Sequence, residues 1–456
     1  MKRTVFPAKV RGEVLIPASK SHTIRALLIA SLAEGESVLI NPLDSEDARS
    51  CVAACRSLGA RIEEQMDARS GRRILKVRGT GGKITPPRGP IDVGNSGTTL
   101  YLACSLAALG DFPVQFTGDD QIQARPAGNL LRALEELGAR VTYHTKEGFA
   151  PFTIQGPLRG GKTRIECPTS QYLSSLLIAA PLIEGNTEIE VPLLYERPYV
   201  EMTLRWLEEQ GIQTERKGME WFRIPGRQRY RGFHRQIPGD FSSATFFLCA
   251  AAITGSTLTL LGLDMEDSQG DKEVVHILER MGCTTRIEEN RITLSGHPLM
   301  GIEIDLNAMP DALPALAATA CYAEGTTRIV NVPQARLKET DRIAVMAQEL
   351  SRLGARVREL PDGLEIEGST PLSGAPARYE SGPRRSSPRP SSPPRIPLRG
   401  GRVHGHGDHR VVMALAIAAL GADGPITIET AEAASVTFPG FFDLLDQIAL
   451  RSEADA

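Results

Sequence analysis

Two short patterns recur along this 456-residue chain, and together they dictate a string of similar α/β units. In the first, a helix ends in Leu-Gly or a close relative and runs into a strand. It stands as CRSLGARI at 55–62, LEELGARV at 134–141, LEEQGIQT at 207–214, LERMGCTT at 278–285 and LSRLGARV at 350–357. Its glycines, Gly59, Gly138, Gly211, Gly282 and Gly354, fall 71–79 residues apart. A glycine just after a helix supplies the left-handed residue that closes it. In the second pattern an apolar helix rich in small residues passes through Gly into a strand, six times over. Its loop glycines are Gly35, Gly110, Gly185, Gly255, Gly325 and Gly421, spaced 75, 75, 70, 70 and 96. A helix that is apolar on nearly every face has to be buried, so each unit is expected to hide its own helix. Helix alternating with strand makes the class α/β.

The stretched last interval has a visible cause. Residues 369–402 are dominated by Pro, Ser, Gly and Arg and keep no apolar period, so they are expected to form a flexible surface insertion. The chain is too long for one ordinary core. A net charge of −3 gives no pull toward nucleic acid or an anionic membrane, so any anion site must be local. Seven scattered cysteines without a CxxC pair fit reduced thiols in a cytoplasmic protein. The amino terminus alternates like a strand and lacks a signal-peptide core, and no stretch has the purity of a membrane span.

The residues before each apolar helix carry the functional signal: Ser19-Lys20-Ser21, Asn95-Ser96-Gly97-Thr98, Thr169-Ser170-Gln171, Asp240-Phe241-Ser242-Ser243, Pro310-Asp311 and Asp408-His409-Arg410. Ser, Thr, Asn and Asp there are ordinary N-caps. Capping does not call for Lys20, Gln171 or Arg410, because a cation opposes the positive end of the helix dipole. Free N–H groups beside a cation make an anion site. A second charged constellation, RLKETDR at 336–342, precedes an amphipathic helix. There Thr340 or Asp341 can cap while the other charges hold a phosphate or move a proton.

Three motifs are out of context. The P-loop expression at 156–163 runs into a strand-like RIECP instead of a helix. The histidines of HGHGDHR are spaced by glycines and followed by Arg410, which repels a metal ion. Gly79-Thr80-Gly81-Gly82 lacks the spacing of a dinucleotide fingerprint.

SKSHTIRALLIASLAEG, GNSGTTLYLA, ARP at 124–126, TSQYLSSLLIAAPL, ERPYVEMTLRWL, GDFSSA, MPDALPALA, RLKETDRIAVMAQEL and GDHR together resemble the 5-enolpyruvylshikimate-3-phosphate synthase family. The resemblance implies two inside-out α/β domains of three units each, joined by two crossover strands near residues 18 and 238. The domains would comprise 1–18 plus 239–456, and 19–238. It implies transfer of the enolpyruvyl group of phosphoenolpyruvate to the 5-hydroxyl of shikimate 3-phosphate, without metal or cofactor; a monomer with no nucleic-acid or membrane partner is expected. Carried over residue by residue, Lys20, Gly97, Arg125, Gln171, Arg342 and Arg410 would bind phosphoenolpyruvate. Lys20, Ser21, Arg25, Thr169, Ser170, Gln171, Tyr199, Asp311 and Lys338 would bind shikimate 3-phosphate. Asp311 would be the base at the 5-hydroxyl, Glu339 and Lys20 the proton donors, and His409 an assistant.

Four positions depart from the family's pattern. Tyr101 stands for an arginine, Glu196 for a serine among the substrate-phosphate contacts, Gln334 for Asn or Glu, and Val436 for a lysine. Each lost ion-assisted contact would weaken binding by roughly 1.5–3 kcal/mol, and Glu196 would repel a phosphate. An arginine of the insertion, such as Arg399 or Arg402, is expected to replace the lysine missing at 436. Two alternatives stand beside the main reading. One is transfer to another acceptor such as UDP-N-acetylglucosamine, whose enzymes carry a cysteine where Asp120 stands here. The other is a non-catalytic relative that kept the anion cleft.

Overall fold

The computed structural model describes residues 1–68, 71–368 and 398–450. The expected insertion therefore falls mostly outside the described residues, and its carboxyl-terminal boundary moves. Leu398 is buried and Gly401–His404 is a strand parallel to Ile426–Glu429, so residues 398–402 belong to the fold. A short alternation of Val403 inward against Arg402 outward is what holds it there.

Five four-stranded sheets share one arrangement, a parallel pair followed by two antiparallel neighbours. In one, Ile91–Asp92 runs parallel to Pro113–Thr117. That strand pairs antiparallel with Phe152–Gln155, which pairs antiparallel with Arg140–Tyr143. The sixth sheet has three strands, and its last, Lys2–Val5, comes from the other end of the chain. Strand faces alternate: Leu258 and Leu260 are buried while Thr257 is exposed.

The six apolar helices are Lys20–Leu32, Gly97–Ala107, Ser170–Ala179, Phe241–Thr254, Leu313–Ala320 and His409–Leu420. They are buried over nearly their whole length, as their composition requires. The last three pack on one another, and the second packs on both the first and the third. Each large side chain enclosed there, such as Phe247 or Leu173, contributes about 1.5–3 kcal/mol relative to exposure.

Buried side chains fall into two clusters. One runs from Ala18 to Ile237, and the other joins Val5–Ile16 to residues 241–448. The chain passes between them twice. Gly12–Leu15 joins the sheet of Thr257–Leu261, while His234–Gln236 joins the sheet of Glu36–Ile40. The two passes touch where the Ser19 N–H donates to the Pro238 carbonyl at 2.8 Å and the Asp240 N–H to that of Pro17 at 2.9 Å.

All five helix-closing glycines have φ between 72° and 116°, so the left-handed reading holds. The loop glycines divide. Gly35, Gly255 and Gly325 have positive φ, whereas Gly110, Gly185 and Gly421 do not. At Gly421 the reason is room, since a Cβ would stand 2.6 Å from the Tyr322 ring.

Among the described residues no helix is long and apolar enough to cross a membrane, and no cluster of His, Cys, Asp or Glu is arranged to hold a metal ion. All seven cysteines are buried. The stretch matching the P-loop expression leads into strand Gly161–Cys167, which removes the helix start that a nucleotide loop needs.

Candidate active site

Helix starts are polar because their first amides have no partner within the helix. Four of the six are closed by a cap. Ser19 accepts from the His22 N–H, Ser96 from Thr99, Thr169 from Gln171 and Asp408 from Arg410. The other two depart from the capping expectation. Asp240 takes the Ser243 hydroxyl at 2.7 Å, and Asp311 lies in a 3-10 turn, Pro310–Ala312, ahead of its helix. Asp311 is thereby free to point elsewhere. Residues from five helix starts, all but that of Phe241–Thr254, line one cavity between the two clusters.

Lys20, Arg25, Arg125, Lys338 and Arg410 bring five cations to this cavity, and Asp47, Glu196, Asp311 and Glu339 bring four carboxylates. Opposite charges alternate through it. Lys20 Nζ lies 2.9 Å from Asp47, Arg125 3.1 Å from Glu339, Arg410 2.8 Å from Asp311 and Lys338 2.5 Å from Glu196. Arg342 organises the lattice from behind. Its guanidinium, 1% exposed, donates to Asp408 at 2.8 Å, to Asp311 at 2.8 Å and to Glu339 at 2.5 Å. An arginine fork is the side chain suited to several acceptors in fixed directions.

These neighbours set the protonation states. Burial pushes the Asp311 carboxyl up, but Arg410, Lys338 and Arg342 together outweigh it and hold the pKa far below the usual range. Glu339 is likewise pushed up by burial and pulled well below its ordinary value by Arg125 and Arg342. Burial and the cations Arg410, Lys20 and Arg342 drive His409 well below the usual imidazole value against the pull of Glu339, so its ring is neutral. Burial alone would lower Lys338, and Glu196 with Asp311 raises it above the ordinary lysine value. Polar atoms left unpartnered in this region include both His409 ring nitrogens, Gln171 Oε1, Asp47 Oδ1 and Arg125 Nε. Unsatisfied buried polar groups are costly in a fold and mark where a ligand completes the set.

A family model for EPSP synthase (3-phosphoshikimate 1-carboxyvinyltransferase) matches residues 6–445. The chain belongs to the EPSP synthase family. It is 49% identical to the 3-phosphoshikimate 1-carboxyvinyltransferase of Acetivibrio thermocellus, over 97% of each chain. It is 47% identical to that of Ruminiclostridium cellulolyticum, over 96% of each. Among solved structures it is similar to EPSP synthase from Acinetobacter baumannii, with a TM-score of 0.77 and 28% identity across 98% of each chain.

Of the residues singled out by resemblance to EPSP synthase, Lys20, Ser21, Arg25, Gly97, Arg125, Ser170, Gln171, Tyr199, Asp311, Lys338, Glu339 and Arg410 line the cavity. Three do not. Arg342 and His409 are buried behind it, and Thr169 lines a neighbouring cavity with Tyr101, Arg125, Tyr172, Gln334 and Lys338. Arg25 is held rigid, donating to Thr203 at 2.8 Å and to the Tyr199 carbonyl at 3.0 Å. Burial lowers it to about 10. Gly97 leaves room for Arg125, since a Cβ there would meet its Nη1 at 2.2 Å and shift the guanidinium. Asp341 caps its helix by accepting from the Ala344 N–H at 3.0 Å, and Arg336 is engaged outside the cavity by Asp341 and Glu359.

The four departures resolve individually. The Tyr101 hydroxyl and the Tyr172 hydroxyl both donate to the Pro126 carbonyl, bracing the loop that carries Arg125. Gln334 donates to the Asn307 carbonyl at 2.9 Å. Val436 ends a 3-10 turn, Ala431–Val436, that lines neither cavity. The replacement expected from Arg399 or Arg402 is not found in either cavity. Arg399 lies over Gly354, its N–H donating to the Leu353 carbonyl, and Arg402 is exposed on the strand beside Thr427. Glu196 sits inside the cation lattice.

Two lattice members escaped the sequence reading. Asp47, the partner of Lys20, looks like any acid in the first turn of helix Glu46–Ser57. Asp271, which accepts from the Tyr199 hydroxyl at 2.5 Å, lies in a 3-10 turn, Gly270–Glu273, with no periodic signal.

Proposed function

We propose that this protein transfers the enolpyruvyl group of phosphoenolpyruvate to the 5-hydroxyl of shikimate 3-phosphate, releasing phosphate. The observation that carries the reading is the lattice of alternating cations and carboxylates at five converging helix starts, in a chain that matches EPSP synthase over nearly its full length. Two phosphates and two carboxylates need such a density of cations, and the protein's own acids hold those cations in place until substrate arrives.

In this reading Lys20, Arg125 and Arg410 grip phosphoenolpyruvate, with Gly97 and Gln171 lining its place and Arg342 steadying the carboxylates from behind. Ser21, Arg25, Thr169, Ser170, Tyr199 and Lys338 hold shikimate 3-phosphate. The 5-hydroxyl oxygen adds to C2 of phosphoenolpyruvate while C3 takes a proton, giving a tetrahedral ketal phosphate. Loss of a proton from the new methyl group then expels phosphate and restores the vinyl ether. Asp311 accepts the hydroxyl proton, Lys20 delivers one to C3, and Glu339 exchanges protons at that carbon, with neutral His409 beside it. Phosphoenolpyruvate's anionic groups draw Arg410 and Arg125 away from Asp311 and Glu339. Both carboxylates thereby become more basic as the reactants meet. Residues 1–18 with 239–456 form one moving body and 19–238 the other. The protein acts as a cytoplasmic monomer.

The test is phosphate release from phosphoenolpyruvate with shikimate 3-phosphate, run beside UDP-N-acetylglucosamine. Turnover with the first acceptor alone is expected. Absence of turnover with it rejects the reading.

A further inference from the structure

Glu196 is the residue at which this chain departs most sharply from what a phosphate site requires. It is 2% exposed, and it precedes helix Arg197–Glu209 in a left-handed conformation, φ 58° and ψ 41°. That region is rarely occupied by a side chain other than Gly, Asn or Asp, and where it persists the surroundings hold it. The surroundings here are specific. One carboxylate oxygen accepts from the Ser170 N–H at 3.1 Å, the Ser170 hydroxyl at 2.8 Å and the Thr169 hydroxyl at 3.2 Å. The other accepts from Lys338 Nζ at 2.5 Å. Two hydroxyls, a helix-start amide and an ammonium make an oxyanion cradle. Thr169, Ser170 and Glu196 belong to the Ala18–Ile237 side of the cleft and Lys338 to the other side. The Glu196 N–H also crosses the cleft, donating to the Asn307 carbonyl at 3.2 Å.

We propose that Glu196 is an internal occupant of the acceptor's phosphate cradle, competing with that phosphate and drawing Lys338 across the cleft before substrate binds. This rests on the reading above that Thr169, Ser170 and Lys338 receive the phosphate of shikimate 3-phosphate. The carboxylate matches the donors of the cradle but carries less charge than a phosphate ester, so the substrate displaces it. Glu196 lines the substrate cavity itself, so the displaced side chain has to swing clear of the cradle. Two consequences follow. Acceptor affinity is lowered by the small fraction of molecules whose cradle stands open. The two sides of the cleft are also bridged without ligand, where a serine at 196 would leave Lys338 with only Asp311, on its own side of the cleft.

The experiment compares the parent with E196S and with E196Q, which keeps the shape and removes the charge. Calorimetric titration with inorganic phosphate is expected to show about tenfold tighter binding to E196S and a smaller gain in E196Q. The KM for shikimate 3-phosphate should fall in the same order while that for phosphoenolpyruvate stays put. Solution scattering of the ligand-free proteins should show E196S more expanded than the parent. Unchanged or weaker phosphate and acceptor binding in both variants, with normal melting, overturns the proposal. Failure of the acceptor reading has a different signature: no turnover of shikimate 3-phosphate by the parent. The phosphate titration still decides the role of Glu196 in that case.

Discussion

Asp311 and Asp271 lie in the same charged neighbourhood and titrate in opposite directions, and the difference comes from the company each keeps. Asp311 has three cations, while Asp271 has burial and the charge of Asp311 pushing it up to about 6. A raised folded pKa adds stability that is full below the unfolded value of 3.8 and is lost as pH rises through about 6. Replacing Asp271 with Asn keeps an acceptor for Tyr199. It should therefore remove a loss of about 2 kcal/mol that the parent suffers between pH 4.5 and 7.5, measured by denaturant unfolding at those two values. Asp311 and Glu339 have depressed values, so their contribution is present at neutral pH and is lost as pH falls below the ordinary carboxylate range. Glu339→Gln keeps the fold but ends proton exchange. Phosphate release should slow by roughly 10²–10⁴-fold, and the melting temperature should fall as well, because Arg125 and Arg342 lose a buried carboxylate partner. Much at this scale was legible, because a lysine or arginine at a helix start contradicts the helix dipole and so draws notice. Asp47 and Asp271 contradict nothing locally; only their partners from distant segments reveal them.

The period of the repeat was readable because each element satisfies a local rule. Glycine closes five helices, caps open four, and apolar helices bury themselves. Gly282→Ala tests the first rule, since φ is 116° and a Cβ would meet the Pro298 carbonyl at 2.9 Å. Destabilisation of roughly 1–3 kcal/mol is expected in thermal or denaturant melts. Removing the Asp341 cap with Ala should cost about 1 kcal/mol and, because that helix opens with Arg342, should also raise the KM for phosphoenolpyruvate. What could not be read is which strands meet. Gly12–Leu15 and His234–Gln236 each lie next to one apolar helix in sequence and join the sheet of another. Strands of three or four residues carry too little pattern to specify a partner 196 or 246 residues away. The boundary misplaced at 402 has the same origin: Gly-Gly-Arg reads as loop until Ile426–Glu429 is there to pair with it.

At the scale of the whole molecule, polar contacts between the two clusters bridge the cleft. His22 donates to or accepts from Asp267 at 3.1 Å, and because Trp206 donates to the other ring nitrogen, His22 is the donor. Gln121 donates to the His406 carbonyl at 3.3 Å, and Arg205 to that of Glu266 at 3.1 Å. Such an interface opens readily, so shikimate 3-phosphate should compact the protein in solution scattering. Residues 19–238 contain their own three sheets and core, and that segment expressed alone should unfold cooperatively in a calorimeter. The rest is not continuous, and here the sixth sheet has a consequence for synthesis. Strand Lys2–Val5 pairs with Ile426–Glu429, so it must stay unpaired until the ribosome has added more than 400 further residues. At ordinary translation speeds that wait is roughly 20–85 s. During it the inner body can finish folding while an unpartnered strand remains outside, available to a chaperone or to the wrong neighbour. The order in which this enzyme is made is therefore the reverse of the order in which its outer body can close.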